Sequence, residues 1–575
     1  MPLLAALAGL ASAQCPQNDG QVVGELRTYP RPSDNYTVQY QIGNGDWTTA
    51  TVYISYYGQT TGSPYRTVSG YTAGTTSMSF TSIPARANNT VQLRVTKLFG
   101  TPFQESDHVS LRPSVRLVAG KRAGVITRSD GTVEISTFTA PNFAGEQFIL
   151  WWDRGTDGGG VEGLAFFLNP PYPEPTGNNV KIVKSWGDLT DPTSPVNALP
   201  IDTLDFEGQV ELENTGKAVY PVPANIVNVF FGPTAWVQGK LQFAPSKNTT
   251  TINGPGVLDG SLFNYLRRDC NDDNGAYSLT SSGANGNLNH FVVDGIIISD
   301  HNHAATDPFY NSTLNNVKTI SWNSNNDGLR LQDSTTVTNV FVRSGDDSLM
   351  IWGSPVTVTN ATVWQNYNGG VVNLGWLNNS AGDNDLLDGL YVVKMDWLTP
   401  VADQWTAEAP GTSGSTLNGQ NNGVFVSLMT PTTSFGQLSP PVYRNILVED
   451  QPRVLFSLKI IPPVNCNAPG PACNAATLMQ PSHVSLNIDN LYSPASLVEN
   501  SIGFQTLPDP YPTQTGETIP GGFALWGTMN VNLTNISIRQ PHGLALPLVN
   551  FDGADVGKIS THGSVVNVNY SFGTP

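Results

Sequence analysis

Three carboxylates dominate the chemistry that the side chains of this chain could perform. Asp327 lies in an Asn-Asn-Asp-Gly-Leu stretch, and Asp346 and Asp347 lie in a Gly-Asp-Asp-Ser-Leu stretch. Hydrolysis of a glycosidic bond needs one protonated carboxyl group to protonate the leaving oxygen and one carboxylate to activate water or attack carbon. Repulsion among three close acids raises the pKa of at least one, so a donor and a base can coexist at mildly acidic pH. The trio therefore predicts acid and base catalysis, whereas each Asp alone could equally cap a turn.

The elements between the carboxylates must bring them onto one face. Residues 330–343 alternate apolar and polar side chains in short valine-rich runs broken by Ser, Thr and Asn, a pattern typical of strands. If each coil of a solenoid takes about twenty residues, Asp327 stacks beside Asp346 and Asp347 on neighbouring coils. The spacing therefore predicts a coiled stack of strands that gathers the trio within the width of one sugar ring.

Two patterns of strands divide the chain. Residues 14–205 contain short alternating strands with frequent turns, as at 91–95, and predict a β-sandwich. Residues 206–575 contain stacked short strands, as at 340–342, that end at corners rich in Asn and Gly, and predict a parallel β-helix. A β-propeller, the rival architecture, would need four antiparallel strands with tight hairpins in each blade, a rhythm that the sequence lacks. The predicted fold class is all-β, with an N-terminal β-sandwich followed by a parallel β-helix.

Composition and charge support this class and exclude others. The 575 residues include 56 glycines and 42 prolines and only 13% charged residues, which favours an extended all-β protein over a helical one. The net charge of -17 and the lack of a Lys and Arg cluster argue against nucleic acid or an anionic membrane as a partner. No apolar segment after residue 13 reaches about eighteen residues, so no membrane span is predicted.

The first residues predict export. Residues 1–13 form an apolar stretch that ends in Ala-Ser-Ala, the pattern expected before a signal-peptidase cut at Gln14. Because no Lys or Arg precedes the apolar run, a buried terminal strand or a truncated leader is the alternative. Asn-x-Ser/Thr sites spread from Asn35 to Asn569 are typical of a glycosylated, secreted protein, and a monomer is the expected state.

The cysteines are consistent with an oxidising compartment. Cys466 and Cys473 enclose a short loop rich in Pro and Gly and are predicted to form a local disulfide. Cys15 and Cys270 can pair only if the fold brings them together. A metal site built from these four residues is not expected, and no cofactor is predicted.

The carboxylate stretches resemble those of a known family of enzymes. At these residues the chain resembles glycoside hydrolase family 49, the family of dextranases and isopullulanases, and more distantly the polygalacturonases of family 28. Both families share an Asp-Gly turn followed by an Asp-Asp pair. The segments 231–239, 254–260 and 374–376 are also similar to family 49, so the resemblance covers most of the predicted β-helix and, more weakly, the sandwich.

The resemblance implies a fold, a reaction and residue roles. It implies a right-handed β-helix and inverting hydrolysis of an α-glucan, first of all endo-hydrolysis of α-1,6 linkages in dextran, with an isopullulanase-type activity as the alternative. Asp346 would be the proton donor, and Asp327 and Asp347 would position and deprotonate the water. Two positions depart from the family pattern. Met350 stands where family 49 members usually carry Lys, which bears on substrate choice, and Asn326 stands where related enzymes tend to have Thr.

Aromatic and basic side chains near the trio are candidates for substrate binding. Four tryptophans recur close to the carboxylates: Trp322, Trp352, Trp364 and Trp376. Each could stack on a sugar face or pack in the core, and Trp376 is favoured because it lies in a matched segment. Lys459 falls where related enzymes have a basic residue near the cleft, although a solvated surface Lys is the alternative. The predicted substrate-binding residues are Trp376, Arg330, Asn326, Trp352 and Lys459.

Three further interpretations bear on the site. His301 and His303 have a His-x-His spacing that could hold a metal, but no third ligand of matching character is evident, so no metal is predicted. A polygalacturonase would use a His-Gly element soon after the Asp pair and an Arg-x-Lys signature beyond it, and the sequence lacks both. A non-catalytic carbohydrate-binding β-helix would bind without turnover and would not need three crowded carboxylates.

Overall fold

The computed structural model describes residues 32–56, 77–98, 100–114, 124–152, 162–212, 219–244, 249–261, 277–281, 290–301, 303–306, 310–321, 326–365, 369–377, 382–395, 423–429, 436, 438–450, 452, 455–460, 482–493, 502–505, 527–538, 559–562 and 566–570. The predicted signal peptide, the four cysteines and Trp322 lie outside the described residues. No helix among the described residues is long and apolar enough to cross a membrane.

Two five-stranded sheets form a β-sandwich. In chain order the strands are β1 (Tyr36–Ile42), β2 (Thr48–Ala50), β3 (Val52–Tyr56), β4 (Ser77–Pro84), β5 (Thr90–Lys97), β6 (Ser110–Arg112), β7 (Gly124–Thr127), β8 (Thr132–Phe138), β9 (Glu146–Trp151) and β10 (Glu162–Asn169), with a short 3-10 helix, Glu105–Asp107, before β6. One sheet has the order β2-β1-β5-β8-β7, and the other has the order β3-β4-β10-β9-β6. Along β5 the buried Val91, Leu93 and Val95 alternate with partly exposed residues, which places apolar side chains between the sheets.

The strands that follow stack in parallel coils. In chain order they are β11 (Val180–Val183), β12 (Thr203–Phe206), β13 (Gln209–Glu211), β14 (Val219–Val222), β15 (Asn228–Phe231), β16 (Trp236–Gln238), β17 (Lys240–Phe243), β18 (Thr249–Asn253), β19 (Val257–Asp259), β20 (Tyr277–Ser281), β21 (His290–Asp294), β22 (Ile297–Ser299), β23 (Ala304–Thr306), β24 (Thr313–Asn315), β25 (Lys318–Ile320), β26 (Leu329–Leu331), β27 (Thr335–Thr338), β28 (Phe341–Ser344), β29 (Leu349–Ile351), β30 (Val356–Gln365), β31 (Gly370–Leu377), β32 (Leu386–Met395), β33 (Gly423–Met429), β34 (Val442–Val448), β35 (Phe456–Ile460), β36 (Ser482–Ser493), β37 (Ile502–Gln505), β38 (Gly527–Ile538), β39 (Ile559–His562) and β40 (Val566–Tyr570). A short helix, α1 (Trp186–Thr190), follows β11.

These strands form a parallel β-helix. One sheet has 19 strands, and a second face is made of the rows β14-β17-β20-β23 and β26-β29-β31-β33-β35-β37-β39. A parallel bridge between Ala304 and Asp327 joins the two rows. The strand pairs are parallel, as in β26 with β29 and β29 with β31. The predicted all-β fold of a sandwich followed by a parallel β-helix is confirmed. The stack already begins with β11 and β12, upstream of residue 206, and the division into domains at that residue stays a prediction.

Apolar side chains fill the interior of the coils in columns. Val293, Leu314, Val337, Val358 and Leu387 are in register on successive coils, and all are fully buried. Burying each such side chain contributes about 1.5–3 kcal/mol relative to leaving it exposed. Because each coil leaves its apolar face bare until the next coil covers it, the stack is stabilised by its neighbours rather than by any single turn.

Asparagines line one corner of the coils. Asn339 and Asn360 both have a φ of 58°, a left-handed conformation that Asn tolerates better than most residues. The Nδ2 of Asn360 donates to Oδ1 of Asn339 at 2.8 Å, and Asn490 donates to Asn445 in the same way at 2.7 Å. The corner residues predicted from the sequence therefore bond from coil to coil.

The sandwich packs against one face of the β-helix. Phe80 and Phe167 of the sandwich form one apolar cluster with Trp236, Phe341 and Trp364 of the coils. A Cβ at position 163 of the sandwich would collide with the indole of Trp364. Trp364 is fully buried, so for this tryptophan the core-packing alternative is correct and a sugar platform is excluded.

Polar side chains are also buried between the two parts. Lys318 donates to Oδ1 of Asn169 and to the carbonyl oxygen of Gly295, the latter at 2.9 Å. The Nε2 of Gln147 donates to Oδ1 of Asn316 at 2.7 Å. Lys318 and Gln147 are fully buried, and these bonds replace water for groups that would otherwise be costly to bury.

Candidate active site

The three predicted carboxylates lie together at one corner of the β-helix. Asp327 precedes β26, and Asp346 and Asp347 lie between β28 and β29. One oxygen atom of each carboxylate lies within 4.8 Å of the corresponding atoms of the other two. The backbone N–H of Asp346 donates to the carbonyl oxygen of Asn326 at 3.0 Å, and that of Gly328 donates to the carbonyl oxygen of Asp347 at 2.7 Å. Hydrogen bonds between neighbouring coils therefore set the spacing of the trio.

Two glycines allow the coils to approach each other at this corner. A Cβ at Gly328 would collide with the carbonyl oxygen of Ser348. A Cβ at Gly369, which has a φ of +73°, would collide with Oδ1 of Asp346. Glycine alone supplies both the missing Cβ and the easy left-handed φ. The Gly that follows Asp327 is thus explained by close packing of the backbone beside the site.

Asp327 is held by basic side chains. The Nη2 of Arg330 donates to its Oδ2 at 2.8 Å, and the Nε2 of His303 lies 3.8 Å from the same oxygen. The side chains of Asp327 and Arg330 are only 11% and 12% exposed. Charge-assisted hydrogen bonds of this kind are stronger than neutral ones, so Arg330 stabilises Asp327 as a carboxylate.

His301 supports the backbone of Asp327 from inside the coil. Its Nε2 lies 2.8 Å from the carbonyl oxygen of Asp327, so this nitrogen carries the proton and donates. Burial of the ring lowers the pKa of His301 to about 4, and the charge of Lys240 acts in the same direction, whereas the bond to Asp327 opposes it. The ring is therefore a neutral support for the carboxylate at any mildly acidic or neutral pH.

Asp347 is enclosed by hydrogen-bond donors. Its Oδ1 accepts the backbone N–H of Gly370 at 2.6 Å, and its Oδ2 accepts the Nδ2 of Asn373 at 2.7 Å. Burial and the negative charge of Asp327 raise the pKa of Asp347 to about 7, although both hydrogen bonds and the charge of Arg330 act in the opposite direction. Asp347 therefore holds a proton under conditions in which an ordinary Asp is ionised.

Asp346 is fixed through its backbone. Its carbonyl oxygen accepts the hydroxyl of Ser344 at 2.9 Å and the Nε2 of Gln365 at 2.8 Å. Ser348 links these two side chains, with its hydroxyl 2.7 Å from Oγ of Ser344 and 2.7 Å from Oε1 of Gln365. This polar group lies under the Asp-Asp pair and orients the side chain of Asp346 indirectly.

The predicted substrate-binding residues divide into two groups. Three of them contact or adjoin the trio. Arg330 bonds Asp327 and lies over the ring of Trp352 at 5.1 Å, and Trp352 is partly exposed. Asn326 is buried, and its amide atoms have no hydrogen-bond partner among the described residues.

The other two are placed only by their backbones. Trp376 lies in β31 and pairs with Leu428 of β33, which pairs in turn with Lys459 of β35. Trp376, Leu428 and Lys459 therefore occupy one register line on successive coils of the face that carries the trio. Their roles in binding stay predictions.

Neither the histidines nor the carboxylates are assigned a metal. His301 uses its Nε2 for the carbonyl oxygen of Asp327, and His303 lies beside Arg330, with 3.4 Å between its Nε2 and the Nη2 of that residue. The closeness of the three carboxylates would suit a cation, but acidic groups commonly cluster without one. The acid and base chemistry predicted from the sequence would use the carboxylates directly.

Sequence reasoning missed several residues that hold the trio. Asn373 and Gly370 bind Asp347, and Gln365 binds Asp346, whereas His303, which the sequence suggested only as a possible metal ligand, lies beside Asp327. Asn373 is the one with a visible signal, because it interrupts the apolar run of β31 immediately before the matched segment 374–376. A polar residue in a fully buried strand needs a partner, and here the partner is a carboxylate.

Comparison with known proteins shows partial sequence similarity and a shared fold. No family model matches the chain. The chain is 27% identical over 176 residues to a dextranase from Arthrobacter globiformis, a stretch that covers 27% of each chain. It is 26% identical over 197 residues to an isopullulanase from Aspergillus niger, covering 31% of this chain and 34% of that one. The matched stretches thus span about a quarter to a third of these relatives.

The structure is similar to that of Dex49A from Penicillium minioluteum. The TM-score is 0.64 with 18% identity, and the match covers 92% of this chain and 94% of the other. Fold and carboxylate corner together define a protein of the class in which a β-sandwich is joined to a parallel β-helix. Within that class, the predicted resemblance to glycoside hydrolase family 49 is confirmed by the dextranase and isopullulanase relatives.

Proposed function

We propose that this protein is a glycoside hydrolase that cleaves an α-glucan, with dextran as the first candidate substrate. The observation that carries the proposal is the meeting of Asp327, Asp346 and Asp347, with an oxygen of each within 4.8 Å of the others. Three carboxylates at this distance titrate as a coupled group, which provides a proton donor and a base together. The dextranase relatives support the choice of dextran.

Each carboxylate has a proposed role. Asp346 transfers its proton to the glycosidic oxygen as the bond from C1 to that oxygen breaks. A water molecule attacks C1 from the opposite face and passes its proton to Asp327, which Arg330 stabilises as a carboxylate. Asp347, whose pKa is raised to about 7, orients the water through its oxygens. This assignment makes Asp327 the main base.

The short separation of the carboxylates also favours a second mechanism. Inverting glycosidases usually separate acid and base by about 6.5–9.5 Å, whereas retaining enzymes hold them about 5–5.5 Å apart. One oxygen of each carboxylate lies within 4.8 Å of the others, a closest approach between single atoms that is nearer to the retaining separation than to the inverting one. In a retaining reaction one carboxylate would attack C1 directly and form a covalent glycosyl intermediate. Proton NMR of the first product separates the two mechanisms, because inversion of an α-glucan releases the β-anomer.

A second candidate function is hydrolysis of pullulan, which the match to an isopullulanase supports. Reducing-sugar release from dextran, pullulan and polygalacturonate at about pH 5 distinguishes the candidates, with Asp346→Asn as the matched control. Release from dextran that disappears in the variant supports the proposed function. Release from polygalacturonate would instead favour a family 28 activity. Binding of glucan without release from any polymer would overturn the hydrolase proposal in favour of a carbohydrate-binding β-helix.

We also propose that the chain is exported and acts as a monomer outside the cell. The apolar residues 1–13 and the sequons from Asn35 to Asn569 support export. N-terminal sequencing of protein recovered from the medium should begin at Gln14, and light scattering should give the mass of one chain. Retention in the cell with an intact N terminus contradicts the export proposal.

A further inference from the structure

Asn373 connects the carboxylate trio to a partly exposed tryptophan. Its Nδ2 donates to Oδ2 of Asp347 at 2.7 Å. Its Oδ1 accepts the indole N–H of Trp352 at 3.4 Å and the backbone N–H of Gly375 at 3.0 Å. Asn373 itself is fully buried. One amide therefore touches both a member of the trio and a predicted sugar-stacking side chain.

The orientation of this amide is fixed by its neighbours. The indole N–H of Trp352 and the backbone N–H of Gly375 can only donate, so they require the oxygen of the amide. The NH₂ group of Asn373 must then face Asp347. Because the side chain is buried, water cannot take the place of these partners, and the amide keeps this orientation. The Oδ2 of Asp347 therefore faces a hydrogen-bond donor.

Two donors thus hold Asp347 from two sides. With the backbone N–H of Gly370 at Oδ1, both oxygens of the carboxyl group accept hydrogen bonds. Such bonds favour the charged form of a carboxyl group and restrict its rotation. Gly370 and Asn373 lie on the same strand, β31, so the coil next to the Asp-Asp pair fixes the direction of this carboxyl group.

We propose that Asn373 is a positioning residue for hydrolysis, which holds Asp347 toward the attacking water and couples its orientation to Trp352. This proposal rests on the proposed function. It assigns no bond making or breaking to Asn373. The amide acts through Asp347. A sugar that stacks on Trp352 would contact a residue that is hydrogen-bonded, through Asn373, to Asp347.

Kinetics with three variants test this role. Asn373→Ala removes the donor, and the isosteric Asn373→Asp replaces it with a group that repels Asp347. Both should lower kcat on dextran about 2- to 10-fold at pH 5, the cost of losing a hydrogen bond to the protonated Asp347. KM should change much less. Both should also move the alkaline limb of the pH profile to higher pH, and Asn373→Asp should move it more. Trp352→Phe keeps an aromatic ring but removes the indole N–H, and should give a smaller shift in the same direction.

A matched control separates positioning from general stability. Gln147→Ala removes another fully buried amide with a 2.7 Å hydrogen bond, at the contact between sandwich and coils. It should lower the unfolding midpoint while leaving the pH profile in place. If the Asn373 variants also leave the profile and kcat in place, the positioning role is overturned.

A measurement without substrate keeps the two proposals distinguishable. The difference in unfolding midpoint between the chain and its Asp347→Asn variant, followed from pH 4 to 9, reports the titration of Asp347. The same difference is then measured with Asn373→Ala present in both the parent and the Asp347→Asn variant. The pH at which the difference changes should rise, because Asp347 loses a donor that favours its charged form. A rise in a protein that hydrolyses no glucan supports the positioning of Asp347 and contradicts the proposed function. An unchanged pH in a protein that does hydrolyse dextran contradicts the positioning alone.

Discussion

Arg330, in β26, donates a hydrogen bond at 2.8 Å to Asp327, which lies three residues earlier in the chain and precedes the strand. The pair is local in sequence, so it forms whenever this coil forms. Because both side chains are largely excluded from solvent, the screening that weakens surface ion pairs is reduced. This contact supports the proposed role of Asp327 as the acceptor of the proton of water, because Arg330 holds it in its charged form.

Replacing this arginine should impair the base. Arg330→Met keeps much of the side-chain volume but removes the guanidinium, and we expect kcat on dextran to fall about 10- to 100-fold, since a hydrogen bond between charged groups is lost. Arg444→Met is the matched control, because Arg444 also bonds an Asp, at 2.7 Å to Asp388, but is 46% exposed. Equal kinetics for the two variants would contradict the role of Arg330.

Removing the proton donor should be tolerated when the leaving group needs no proton. Asp346→Asn is expected to lower kcat on dextran about 10²- to 10⁴-fold. On an α-glucosyl fluoride substrate, whose fluoride departs without protonation, the same variant should keep most of its activity. The comparison is made with Asp327→Asn, which should lose activity on both substrates. Loss of both activities in Asp346→Asn would mean that this residue is not the donor.

The protonation of Asp347 should set an alkaline limit to activity. Because the pKa of Asp347 is about 7, its proton is lost as the pH rises through 7, and a second negative charge then faces Asp327. We expect kcat/KM to decline across this range. Asp347→Asn, a neutral and isosteric change, should be slower than the parent but free of that decline. A parent profile that instead rises through pH 7 would show that ionised Asp347 is the active form.

A second buried acid should make stability depend on pH without affecting hydrolysis. Asp385 accepts the backbone N–H of Val356 at 2.7 Å, and burial, with help from Asp383 and Asp333, raises its pKa to about 7. Between about pH 4 and 7 the folded chain holds a proton that the unfolded chain releases, so stability falls as the pH rises through this window.

Asp385→Asn should remove the contribution of this residue to the pH dependence of stability. The variant should melt near the parent temperature at pH 4 and above it at pH 8, with unchanged kcat and KM on dextran. Thermal unfolding across this pH range provides the measurement. A variant that is less stable than the parent at pH 8 would show that the ionised carboxylate stabilises this corner.

Two tryptophans should respond to truncation in opposite ways. Trp364→Ala opens a cavity where the coils meet the sandwich, and we expect a loss of about 3–5 kcal/mol in the free energy of unfolding with little change in KM. Trp352→Ala, at a partly exposed side chain next to Arg330, should raise KM for dextran and destabilise the fold less. Denaturant unfolding and initial rates for both variants test this division. A rise in KM for Trp364→Ala, with only a loss of stability for Trp352→Ala, would contradict the assignment of sugar stacking to Trp352.

The sequence predicted the trio because its information is local. The spacing between Asp327 and the Asp-Asp pair equals one coil, so a count of residues is enough to bring them together. The contact between Asn373 and Asp347 was not predicted, because it depends on the register of β31 against β29. In that register Asn373 pairs with Met350. Such a register depends on where loops begin and end, which strand patterns do not specify.

Trp364 illustrates a second limit. Trp364 follows Val363 within β30, and Trp352 follows the apolar strand β29, so the local sequence does not show which of the two is buried. The difference arises because the sandwich covers one face of the coils and leaves the carboxylate corner clear of that contact. Packing between distant parts of a chain leaves no periodic pattern in the sequence, so it is seen only in the folded structure.

The backbone hydrogen bonds that join the coils at the carboxylate corner fix the spacing of the proposed catalytic groups in steps. Neighbouring strands lie about 4.8 Å apart, so the backbone positions that carry groups on different coils are separated by whole steps of this size. Substitutions at the rim can alter which sugar enters without retuning the separation of acid and base. To add a whole step to that separation, a descendant of this chain would have to carry a carboxylate on another coil.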